Sequence, residues 1–142
     1  MPHMPAPVIG KLYVKESVLA TILIVIFLLI FVAAELIFRL RMRVGAAPVS
    51  CIVLVVVILL GAYGYFFESS AYGIVRPPMK YALSNIIMFG SPIILILVAT
   101  SLFKKPSSLF IHWFAGVFSA LYTALFPLIG IYTVCALGID CL

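Results

Sequence analysis

Acidic residues are scarce in this chain: four Asp and Glu stand among 142 residues, beside nine Lys and Arg. Charged residues make up 9% of the sequence, where a soluble domain carries roughly 25%. So few charges cannot cover a water-facing surface. A soluble enzyme, an ordinary nucleic-acid-binding domain and a disordered chain are all excluded on that ground. Cysteine is sparse as well: Cys51, Cys135 and Cys141 form no C-x-x-C and no Cys/His cluster. A structural zinc site takes four grouped ligands, so no metal is expected. His112 is the one histidine inside an apolar stretch. A haem would need a second axial ligand from another subunit, and no cofactor is expected. The sequence also lacks G-x-S-x-G, H-E-x-x-H, a glycine-rich phosphate loop and a close carboxylate pair. No catalytic residue can be nominated without such a constellation.

What the chain has instead is apolar length. Hydrophobic residues make up 66% of it, and the mean hydropathy is +1.36. Four stretches, at about 17–40, 49–67, 81–103 and 109–138, each reach the roughly 17–25 residues a transmembrane helix needs. None alternates in the way an outer-membrane barrel strand does. The expectation is an all-α, polytopic integral membrane protein, a single domain of four transmembrane helices in an antiparallel bundle. The first stretch is longer than a signal-peptide core and closes on Arg39, Arg41 and Arg43, so it reads as a retained span.

The connections constrain the plan further. Arg41 to Pro48 and Lys104 to Ser108 are too short for anything but a tight return between antiparallel neighbours. Glu68 to Lys80 is longer and carries Gly73 and the Pro77-Pro78 pair, a lead-in to the third span. Arg39, Arg41, Arg43, Lys104 and Lys105 crowd one face, and Lys11, Lys15, Arg76 and Lys80 are spread over the other. The positive-inside rule makes the crowded face cytoplasmic. Both termini are then outside, with the cytoplasmic (inner) membrane as the expected location. The net charge of +5 reads as lipid-facing bases, not as a nucleic-acid surface. Tyr63, Tyr65, Phe66, Phe67, Tyr72 and Tyr81 flank the long connection and read as an aromatic belt.

Several residues carry more than packing. Gly116, Ala120 and Ala124 recur every fourth residue in the fourth span, a spacing that leaves a smooth helix face where another backbone can approach. The partner is either another helix of this chain or a separate subunit. Pro92 and Pro127 interrupt spans three and four, each freeing the carbonyl four residues back, at Met88 and Thr123. Paired interruptions of this kind occur at transporter sites and also as simple kinks satisfied by neighbours. Asn85 and Ser91 are the nearest polar groups to Pro92. His112 and Trp113 open span four as an interfacial anchor. Cys135 and Cys141 sit on the face assigned to an oxidising compartment. They form either a disulfide folded back at Gly138 or two separate thiols, the first buried as a small hydrophobe.

Glu35 is the one acidic residue inside a span, and an ionisable group at membrane depth is a functional candidate. Arg39 follows four residues later on the same helix face, in the order that favours an ion pair. The run Ala33-Ala34-Glu35 resembles the first helix of small multidrug transporters over a few residues. That resemblance implies a proton- or cation-coupling carboxylate, whereas the long central connection departs from the family. The four-helix plan is also similar in architecture to membrane glutathione-dependent eicosanoid enzymes, without their intramembrane polar set. Two functions are carried forward. The first is a non-catalytic membrane subunit, accessory or immunity-type, that docks to other membrane proteins or to itself by helix–helix contact. The second is a small homo-oligomeric transporter or channel coupled through Glu35.

Overall fold

Inside a bilayer the backbone of a long Leu, Ile, Val and Phe run finds no water, so its amides must bond within the segment. The computed structural model describes residues 8–68, 77–103 and 105–138, and among them there is helix and no strand. Helix α1 runs Val8–Val44. Helix α2 runs Ala46–Tyr63 and continues as a π turn, Gly64–Glu68. Helix α3 (Pro78–Asn85) passes through a second π turn, Ile86–Gly90, into α4 (Ser91–Leu102). Helix α5 runs Ser108–Ala136. Four rods, Glu16–Val44, Ala46–Glu68, Pro78–Leu102 and Ser108–Ala136, are long and apolar enough to cross a membrane. The fold is therefore the expected all-α bundle of four membrane-spanning helices.

The junctions explain the boundaries. The expected loop over Arg41 to Pro48 shrinks to one residue, Gly45, at φ 94° and ψ 176°, with its N–H on the Arg41 carbonyl at 3.0 Å. That backbone region is essentially restricted to glycine. Pro48 falls in the first turn of α2, where its missing N–H costs nothing. Pro78 similarly starts α3. Ser107 caps α5, its side chain accepting the Phe110 N–H at 3.2 Å.

Hydrophobic burial does not drive helices together in lipid; close packing and hydrogen bonds do. Helix α1 meets every other span, α5 most extensively. Its inner face is Ile26, Ile30, Ala34, Ile37 and Phe38, spaced for one side of a helix. That face packs on Val49 and Val53 of α2, Ile96 of α4, and Ile111, Ala115 and Tyr122 of α5. Ala34, Ala115 and Ser119 are wholly enclosed, and their small size sets the close approach. Spans two and three come closest at Gly64, where an added Cβ would lie 2.6 Å from the Tyr81 carbonyl oxygen. Tyr81 is accordingly buried, not part of an exposed belt, while Tyr63, Tyr65, Phe66 and Phe67 are exposed. Tyr72 lies outside the described residues. Along α5, Phe110, Phe114, Phe118, Tyr122 and Phe126 form a ladder with neighbouring ring centroids 5.9–6.4 Å apart.

Candidate functional site

Glu35 follows the buried Ala34 and turns from the inner face of α1 toward α5, its side chain 19% exposed. The geometry assigns each carboxylate oxygen a separate partner. Oε2 takes Arg39 Nη2 at 3.1 Å, and Oε1 is joined to His112 Nδ1. The Phe31 ring stands edge-on to the imidazole, centroids 5.1 Å apart. One carboxylate, one guanidinium and one imidazole thus meet at the α1–α5 seam, about one turn from the basic end of α1. The guanidinium offsets the cost of a carboxylate at that depth. The imidazole gives the carboxylate a second hydrogen-bonding partner, contributed by a different helix. Histidine 112 is the member that sequence reasoning missed, because 77 positions separate it from Glu35. A signal was present: each is the one residue of its kind inside the apolar stretches, and each lies near a basic connection.

Beside this cluster, the outer surface of α5 is hollowed. Phe31, His112, Trp113, Gly116, Val117 and Ala120 line an open depression of about 460 Å³. Two of the three stripe residues, Gly116 and Ala120, line this depression, and Ala124 lies one turn beyond it. Gly116 is half-buried, and Ala120 and Ala124 are exposed. The inner contacts fall one position earlier, on Ala115 and Ser119. The helix rotates about 100° per residue, so a register one step away separates the internal face from the outward one.

The proline sites are built differently from each other. Pro92 is buried just after the second π turn. The Met88 carbonyl that it deprives of an amide accepts the Tyr122 hydroxyl at 2.7 Å, with Ser91 Oγ 3.0 Å from the same hydroxyl. Neighbouring spans commonly re-satisfy a freed carbonyl in this way. Pro127 lies inside α5, which continues helical on both sides. Asn85, at the end of α3, donates from Nδ2 to Glu68 Oε2 at 3.2 Å, tying the π turn that ends span two to span three. A cavity of about 210 Å³ between the spans is lined by apolar groups including Ile30, Ala33, Leu60 and Phe126, with Tyr122 at its wall. Glu35 and His112 are not among its lining residues.

Arg41, near Arg39 in sequence, donates from Nη1 to the buried Thr100 hydroxyl at 2.5 Å, and so ties α1 to α4. Cys135 is exposed near the end of α5, and Cys141 lies outside the described residues, as do Lys104 and Asp140. Among the described residues no group of three His, Cys, Asp or Glu side chains could hold a metal. Comparison with protein-family models, curated proteins and solved structures finds no match to this chain.

Proposed function

We propose that this protein is a non-catalytic membrane subunit that docks to another membrane protein, or to a second copy of itself, through the outer face of α5. The observation that carries the reading is the outward placement of Gly116, Ala120 and Ala124. Lipid chains need no smooth groove, whereas a helix backbone does, and small-x-x-x-small faces are the usual means of close contact between spans. Trp113, 67% exposed at the edge of the same depression, offers an aromatic anchor for such a partner. The Glu35–His112–Arg39 cluster at one end adds a polar group by which a partner could be recognised. The distribution of Lys and Arg supports an orientation with the termini outside and the α1–α2 and α4–α5 turns inside.

A photo-crosslinking residue at Ala120, compared with one at the lipid-facing Leu95 of α4, tests this directly in native membranes. One discrete protein adduct from position 120 and none from 95 is the expected outcome. Equal labelling of lipid from both positions would contradict it. The carboxylate–imidazole contact favours the coupled-transporter reading as the alternative, because it joins an acid and a base from two different spans. Substrate flux in liposomes that is lost in Glu35→Gln, with assembly intact, would establish that alternative.

A further inference from the structure

Where the last turns of α1 meet the start of α5, a second hollow of about 360 Å³ is lined by Arg39, Met42, Arg43, Pro106, Ser108 and Ile111. Two guanidiniums four residues apart project from one helix face into it. Arg39 uses part of its fork on Glu35, and a guanidinium has five N–H donors, so donors remain. Arg43 makes no ion pair or hydrogen bond among the described residues and is exposed. The α5 helix begins at Ser108, on the hollow's wall, and the positive end of its dipole adds to the same sign. Met42 and the buried Ile111 supply apolar contact beside the charges. A cationic rim over an apolar wall, set at the end of membrane-spanning helices, matches one chemical class: a phosphate ester bearing hydrocarbon chains.

We infer that this hollow binds the headgroup of an anionic phospholipid, with the phosphate held between Arg39 and Arg43 and the upper chains against Met42 and Ile111. Basic pockets between membrane helices are known to hold such headgroups, and a planar guanidinium can grip two phosphate oxygens at once. A protein carboxylate could satisfy the charge but would leave the apolar wall without an occupant. The hollow shares Arg39 with the cluster beside the α5 docking face, but Arg43 belongs to the hollow alone, so substitutions at Arg43 test the lipid site without touching the proposed docking face.

The test is native mass spectrometry of the full chain released from nanodiscs of phosphatidylcholine containing a minor fraction of phosphatidylglycerol. Wild type, Arg43→Gln, Arg43→Lys and Lys105→Gln are compared. Lys105 is a base at the same end that does not line the hollow, and Arg43 is exposed, so none of these variants threatens folding. Retained phosphatidylglycerol should fall about tenfold in Arg43→Gln, as loss of a charge-assisted contact implies. Arg43→Lys should fall between Arg43→Gln and wild type, and Lys105→Gln should match wild type. Inorganic phosphate added to the phosphatidylcholine-only protein should give no comparable adduct. Equal losses in Arg43→Gln and Lys105→Gln would reduce the effect to general surface charge and overturn the site. Equal retention in all four proteins, or binding of free phosphate as strong as that of the lipid, would overturn it too.

Discussion

Glu35 is held by two bonds of different origin, and they should respond differently to substitution. Its contact with Arg39 is local to α1 and partly exposed. Arg39→Gln removes the cation that offsets a carboxylate at membrane depth, so it should lower stability in reversible unfolding from detergent by more than the roughly 0.2–1 kcal/mol of a water-exposed pair. The contact with His112 crosses between helices. In a double-mutant cycle of Glu35→Gln and His112→Ala, a coupling of at least about 0.5 kcal/mol is expected, and strict additivity would show the contact to be inconsequential. Tyr122 is the other residue-scale test. Tyr122→Phe keeps the ring ladder but removes the hydroxyl from the Met88 carbonyl and from Ser91. Interhelical hydrogen bonds in membranes contribute about 0.6 kcal/mol on average and up to about 1.7. The upper part of that range is expected, because the proline leaves the carbonyl no amide four residues on. An unchanged unfolding midpoint would mean that another group serves the carbonyl. At this scale the i,i+4 spacing of Glu35 and Arg39 was legible in sequence, and so was the carbonyl left at Met88. Neither His112 nor Tyr122 could be assigned as the partner, since both arrive from α5 through tertiary packing.

Elements were the easiest part to read, because apolar length and the absence of backbone partners in lipid leave little choice but helix. The joints between them were harder. The turn at Gly45 read as an eight-residue connection because the apolar run ends among Arg39, Arg41 and Arg43. The helix instead continues through those arginines to Val44 and resumes at Ala46, with Pro48 tolerated in its first turn. Gly64 carried no readable signal, since its role depends on the Tyr81 carbonyl of a different span. These two glycines separate strain from crowding. A Cβ at Gly45 meets nothing within 4 Å but sits at φ +94°, so Gly45→Ala should cost about 1–3 kcal/mol through backbone strain alone. Gly64 has an ordinary helical backbone, φ −60°. Gly64→Ala should cost about 1–3 kcal/mol as overpacking, and a second change that shifts α3 should relieve it. Rescue of Gly45→Ala by any packing change would contradict this division. The register of α5 was the subtler matter. Sequence spacing marked the Gly116 stripe, while the face that packs inward, Ala115 and Ser119, lies one step back. Periodicity within one helix cannot say which of two small-residue faces turns inward. That depends on where Phe38 and Ile111 pack.

On the scale of the whole molecule, the spans close on one another through α1 and still leave a smooth, hollowed face on α5. A bundle that served only itself would have no use for small residues there, and large apolar side chains cover most of the remaining outer surface. The central claim is that this face receives a protein. It is tested most directly by the mass of the particle extracted from native membranes in mild detergent, wild type against Ala120→Leu. Ala120 is exposed, so the leucine fills the hollow without entering the bundle, and the monomer should fold with an unchanged unfolding midpoint. Wild type is expected at the mass of a defined complex and Ala120→Leu at the mass of the 15.5 kDa chain alone. A lone chain in both preparations, or the same complex in both, would contradict it.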